Sequence, residues 1–211
     1  MENFTEIAET VNQAFEQRNT LRDKALMQAR QLTRHSAHTI RAIHRGEVEA
    51  AYLELGEAKI LVDALKEGLL AYPDLYFAGY TQDAIKEFCE ASITCALILD
   101  KPLPTPQELG VECASYMNGL AEAVGELRRR CLDILRKGYS EEAERLLACM
   151  DEIYALLVTL DYPDAITYGL RRQTDVIRGI IERTRADLTI SQKEQRLHQA
   201  MELLAARLPK D

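Results

Sequence analysis

Apolar residues recur at three- and four-residue spacings along almost the whole chain, and no run of alternating β-branched residues lies between turn signals. That period predicts an all-helical fold of seven or eight helices. The first spans about residues 2 to 45, with Asn19-Thr20 as the point where it would break and Gly46 as its stop; a second runs to about Ala71. Pro73 and Gly79 punctuate a loop. A third helix starts after Thr81, whose short hydroxyl side chain suits an N-cap, and ends before Pro102, Pro104 and Pro106. A fourth runs to about Lys137 with Gly138 as its terminator, and Ser140 opens a fifth that stops at Leu160, ahead of Tyr162-Pro163. Two more close the chain, from about Asp164 to Ala186 and from about Ser191 to Arg207, the latter expected to be an oligomerisation arm. No composition shift or repeat marks a boundary, so residues 1–211 are expected to form one domain.

Composition narrows the classes. With 47% hydrophobic residues, 211 residues suffice for one core of ordinary size. Lys and Arg number 26 against 34 Asp and Glu, a net charge of -8 that excludes coating duplex DNA or anionic membrane with the whole surface. A nucleic-acid site must then be a local stripe. The longest apolar runs fall far short of the roughly 18 residues a membrane span needs, and Glu2 and Glu6 stand where a signal peptide would be positive. A cytoplasmic protein without a membrane partner is expected. Cys89, Cys95, Cys113, Cys131 and Cys149 contain no CxxC pair and read as small core residues, not as disulfides or a zinc site. There is no GxSxG elbow and no Gly-rich phosphate loop.

The chemistry the sequence does offer is carboxylate chemistry. Glu87 and Glu90 share one side of the third helix, with Asp83 a turn before them, and the surrounding residues are apolar almost all round. Acids on so buried a helix need a cation within reach. On the fourth helix Glu122 and Glu126 lie one turn apart, roughly opposite the seam of Met117, Leu120, Val124, Leu127, Cys131 and Ile134, in a strip shared with Ser115 and Gly119. Four carboxylates brought to one point would suit Mg²⁺ or Mn²⁺, whereas the spacing alone favours a solvated face. No Glu has His three residues later, which excludes a di-iron bundle; an all-α nucleoside triphosphate pyrophosphohydrolase stays open.

A second feature is basic. Arg30, Arg34, His38, Arg41 and Arg45 form a stripe roughly 80° wide along the first helix, opposite Leu32, Ile40 and Ile43. Such a row suits the phosphates of a single strand, or pairing with acids on neighbouring helices. Arg128-Arg129-Arg130 and Arg171-Arg172 cannot each put all members on one face and are weaker signals. His35 and His44 lie off the stripe and read as surface or capping residues.

The stretch Lys86-Glu87-Phe88-Cys89-Glu90-Ala91, with Gly119-Leu120-Ala121-Glu122 and Gly125-Glu126-Leu127 following, resembles translin and, more closely, translin-associated factor X. Tyr162-Pro163-Asp164-Ala165 and Gly169-Leu170-Arg171-Arg172-Gln173-Thr174-Asp175 resemble the shorter archaeal and bacterial versions; the likeness covers about residues 20 to 187. It implies a translin-like helical bundle assembled as a hollow homo-octamer that binds single-stranded RNA or DNA on its inner wall. Factor X is the family's metal-dependent endoribonuclease, and translin itself mainly binds. Glu87 and Glu90 match the factor X Glu-x-x-Glu motif, Glu126 matches its Gly-Glu-Leu motif, and Glu122 stands where that family usually carries Asp. The resemblance thus implies Glu87, Glu90, Glu122 and Glu126 as catalytic metal ligands for Mg²⁺ or Mn²⁺. The stripe supplies phosphate contacts, and Arg129, three residues past Glu126, either orients that acid or meets a phosphate. A binding protein without catalysis is the alternative.

Overall fold

The structure is a computed structural model that describes residues 2–206. Among the described residues every regular element is helical: α1 (Glu2–His44), α2 (Val48–Gly68), α3 (Pro73–Tyr76), α4 (Gly79–Ile98), α5 (Pro106–Leu109), α6 (Cys113–Leu135), α7 (Glu141–Leu157), α8 (Asp164–Thr167) and α9 (Leu170–Ala205). Three of the nine, α3, α5 and α8, are single turns, so the long helices number six. No helix among the described residues is long and apolar enough to cross a membrane.

Local chemistry explains most boundaries. Gly46 adopts a left-handed φ of 77° between α1 and α2, and Gly138 a φ of 112° after α6, a conformation that costs glycine little. Ser140 caps α7 by accepting from the Glu142 amide at 3.2 Å. Thr105 and Glu108 form a reciprocal capping box that opens α5 at the last proline of the cluster.

Three expectations are corrected. The first helix does not break at Asn19-Thr20, because the Thr20 hydroxyl donates to the Glu16 carbonyl at 2.9 Å and the helix absorbs it. Thr81 is no N-cap: α4 already starts at Gly79, and the buried Thr81 hydroxyl donates to the Leu75 carbonyl at 2.9 Å. The two expected C-terminal helices are one. The real break lies earlier, where Tyr168 (φ 51°) and Gly169 (φ 83°) are both left-handed and end α8 after one turn. No glycine or proline interrupts residues 180–205, and Thr189 bonds back to the Arg185 carbonyl at 2.8 Å. Arg207, the expected end of the arm, lies outside the described residues.

The chain divides into two compact units. One contains residues up to 92 with 104–116, the other residues 93–103 with those from 117 onward. In the first, α1 packs along α2, burying Ala25, Ala29, Leu32 and Ile43 on α1 and Ala51, Ala58, Val62 and Leu65 on α2. Ser115 donates to Gln82 Oε1 at 2.7 Å, and the Tyr116 hydroxyl to the Pro104 carbonyl at 2.8 Å. In the second, α7 packs on α9, and Leu146, Met150 and Ile153 of α7 and Ile177, Ile181 and Leu188 of α9 are buried. Arg128 pairs with Asp187 at 2.9 Å, and Arg130 with Glu142 at 2.9 Å, which explains why that arginine run is not one face. Cys89, Cys95 and Cys131 are core residues whose thiols burial pushes up to about 12; Cys113 is exposed, so the core reading fails there.

Two helix ends stand clear of these cores. Residues 3–20 of α1 and 193–205 of α9 are exposed throughout. Yet Phe4, Ile7, Val11 and Phe15 share one side of α1, Phe4 with 76% of its surface open, and Ile190, Leu197, Met201 and Leu204 share one side of α9.

Candidate functional site

On α4 every residue from Ala91 to Ile98 is buried, as are Ile85, Phe88 and Cys89. Burial of that apolar surface fixes the helix's rotation, and it leaves Glu87 and Glu90 half-buried. On α6 the seam residues Leu120, Val124, Leu127 and Cys131 are buried while Glu122 and Glu126 are half-buried. Rotation about each helix is therefore set by apolar packing, and the acids are carried where that packing sends them.

Glu87, Glu90 and Glu122 each offer a carboxylate oxygen, and these three atoms lie within 4.8 Å of one another. Each fully ionised pair at that separation repels by roughly 3 kcal/mol at an effective dielectric near 20. A divalent cation reverses the sign of that term. An all-oxygen, all-carboxylate donor set is what hard cations such as Mg²⁺ and Mn²⁺ prefer, so the group fits such an ion. Glu126 is not a member of the group. Four residues along a helix is a rise of about 6 Å, so Glu126 shares the face of Glu122 but sits a turn away. Its carboxylate accepts from Arg129 Nη1 at 3.4 Å, and Arg129 is otherwise exposed. Asp83 is exposed and also outside the group.

One neighbour of the site escaped the sequence reading. Gln173, near the start of α9, donates from Nε2 to Glu122 Oε1 at 3.1 Å. Asn118, one turn before Glu122, donates to the Thr167 carbonyl at 2.8 Å and ties the α8–α9 connection to α6. Gln173 lies in a segment that carries the family likeness, but nothing in its spacing links it to residue 122.

Arg30, Arg34 and Arg41 on α1, and Arg45 just past its end, are all exposed, and among the described residues none of the four has an ion-pair partner. His38 differs. It is half-buried, with Nδ1 3.4 Å from Glu54 Oε1, while His35 Nδ1 lies 2.6 Å from Glu54 Oε2. Both histidines thus clamp α1 to α2 instead of simply facing solvent. The hydrogen bond from His35 is the main reason the Glu54 carboxyl lies below its usual range, followed by a smaller opposing effect of burial and the bond from His38. A carboxyl with a depressed folded pKa contributes stability above its unfolded value and loses it as pH falls through the folded one. Thermal melts between about pH 6 and pH 3 are expected to show an acid-side loss that is shallower in Glu54→Gln. Equal acid slopes in the two proteins would refute the clamp.

No family model matches the chain. An uncharacterised protein of Methanocaldococcus jannaschii is 31% identical over 173 residues, covering 81% of this chain and 76% of that one. Among solved structures, AfC3PO in a complex with duplex RNA superposes with a TM-score of 0.83 at 37% identity, over 90% of this chain and 97% of that one. A crystal structure of AfC3PO gives 0.82 at 37% identity, over 90% and 98%. Apo-NeC3PO, at 21% identity and a TM-score of 0.80 over 87% and 96%, speaks for the fold alone. Identity of this level across nine-tenths of the chain, with TM-scores of 0.83 and 0.82, means that the chain belongs to the translin-like C3PO family.

Proposed function

We propose that this chain is an endoribonuclease of the factor X type, which binds single-stranded RNA and cleaves it with Mg²⁺ or Mn²⁺. The observation that carries the reading is the gathering of the Glu87, Glu90 and Glu122 oxygens within 4.8 Å. A bound divalent ion supplies an activated water and neutralises charge on the phosphate. Glu87, Glu90 and Glu122 hold the ion, and Glu126, a turn away, is the carboxylate we assign to accepting the proton. Arg30, Arg34, Arg41 and Arg45 bind the strand through its phosphates, without regard to sequence. Support for an RNA partner comes from the 37% identical AfC3PO, solved with duplex RNA. The preference for a single strand rests on the narrow arginine row, and single-stranded DNA, which carries the same phosphates, is a further ligand of that row.

The whole chain acts as one domain in the cytoplasm and works as a hollow homo-octamer. The apolar sides of the two exposed helix ends, Phe4 to Phe15 and Ile190 to Leu204, are the surfaces we assign to subunit contacts. With acids outside and arginines within, a protein of charge -8 can still collect an anionic strand.

The decisive experiment offers the purified protein labelled single-stranded RNA, the same RNA as a duplex, single-stranded DNA and free nucleoside triphosphates, each with Mn²⁺ and with chelator. The expected result is cleavage of single-stranded RNA that requires Mn²⁺. Binding without cleavage would leave a strand holder, and pyrophosphate release from triphosphates with RNA intact would overturn the reading.

A further inference from the structure

Resting on the metal-site reading above, we infer that Gln173 is a positioning residue that orients Glu122 for a divalent cation. The contact is between side chains 51 residues apart in sequence, from the start of α9 to the middle of α6, at 3.1 Å. An ionised carboxylate has only acceptors, so it dictates that the amide nitrogen of Gln173 faces it. The other end of the amide, Oε1, is buried and has no hydrogen-bond partner among the described residues. A half-buried amide that gives its donor to a carboxylate while its buried acceptor goes unmatched is poorly explained as a folding contact. It suits an O–H donor carried in with the hydrated ion.

The choice of a neutral donor matters. An arginine at residue 173 would orient Glu122 equally well but cancel its charge, and the repulsion that favours a cation would vanish. Glutamine fixes the carboxylate's rotation and leaves its charge intact. A carboxylate has about four lone-pair sites, so accepting from an amide does not by itself keep it from an ion. The backbone supports this arrangement. Gly169, left-handed at φ 83°, sets the entry to α9, and Asn118 holds the preceding Thr167 carbonyl at 2.8 Å, so the first turn of α9 is tied to the same helix that bears Glu122.

The test is a Mn²⁺ titration of the full-length protein, followed by calorimetry and by the electron-paramagnetic-resonance signal of free Mn²⁺, in wild type, Gln173→Leu, Gln173→Asn and Gln173→Glu. Gln173→Leu is expected to weaken Mn²⁺ binding about 10-fold with the metal-free melting temperature nearly unchanged, the range seen when a partner of a metal ligand is removed. Gln173→Asn retains the amide on a shorter stem and falls between. Gln173→Glu adds a fourth carboxylate and tightens binding, the opposite direction to Leu, which a purely structural role would not produce. Equal Mn²⁺ affinity in wild type and Gln173→Leu overturns the role of Gln173 while the metal site stands; no Mn²⁺ binding by wild type overturns the metal site itself.

Discussion

Glu90→Gln and Glu122→Gln are each expected to reduce Mn²⁺-dependent cleavage of single-stranded RNA by more than about 100-fold, equivalent to about 2.7 kcal/mol of barrier. Gln keeps the size and hydrogen-bonding reach of Glu but removes the charge, so the substitution acts on cation binding and not on packing. Three oxygens within 4.8 Å is the fewest that can enclose an ion on one side, and losing one leaves two. The loss should therefore exceed the 10- to 100-fold typical of residues that only support a ligand. RNA binding measured with chelator should be unchanged or slightly tighter, because one negative charge near the strand has gone. Glu126→Gln behaves differently: cleavage falls while Mn²⁺ affinity stays near wild type, as expected of a carboxylate a turn outside the group. If Glu90→Gln cleaves at the wild-type rate, the three acids are not a catalytic metal centre.

The helices bearing these acids were legible because their rotation is set by apolar periodicity. Leu120, Val124, Leu127 and Cys131 were readable as a buried seam, and they are buried, which puts Glu122 and Glu126 on the other side of α6. What periodicity could not tell was axial position. Glu122 and Glu126 differ by about 40° in rotation but about 6 Å in height, and a hydrophobic pattern carries no information on height. The left-handed Tyr168 was equally invisible, since a non-glycine residue in that conformation has no spacing signature. Gln173 depends on it: the break before α9 determines where the helix starts and therefore which side chain reaches Glu122. His38 was assigned to the basic stripe by rotation alone, and Glu54, an acid on the neighbouring helix, draws it inward.

The arginine row makes a quantitative forecast. Each cation that neutralises a phosphate on a single strand contributes about 0.7 to the slope of log affinity against log salt. Arg34→Ala combined with Arg41→Ala should therefore flatten that slope by about 1.4, and across the roughly 1.3 decades between 1 M and 50 mM salt this amounts to about 60-fold weaker binding at 50 mM. The two residues are exposed and without ion-pair partners among the described residues, so their removal costs the fold little and melting temperature serves as the control. The ratio of affinities for RNAs of different sequence should not move, because phosphate contacts carry no base information. A slope that is unchanged in the double variant would mean that the strand follows another path. The exposed Arg171 and Arg172 at the start of α9, beside the tie to Glu122, would then be the next basic groups to test.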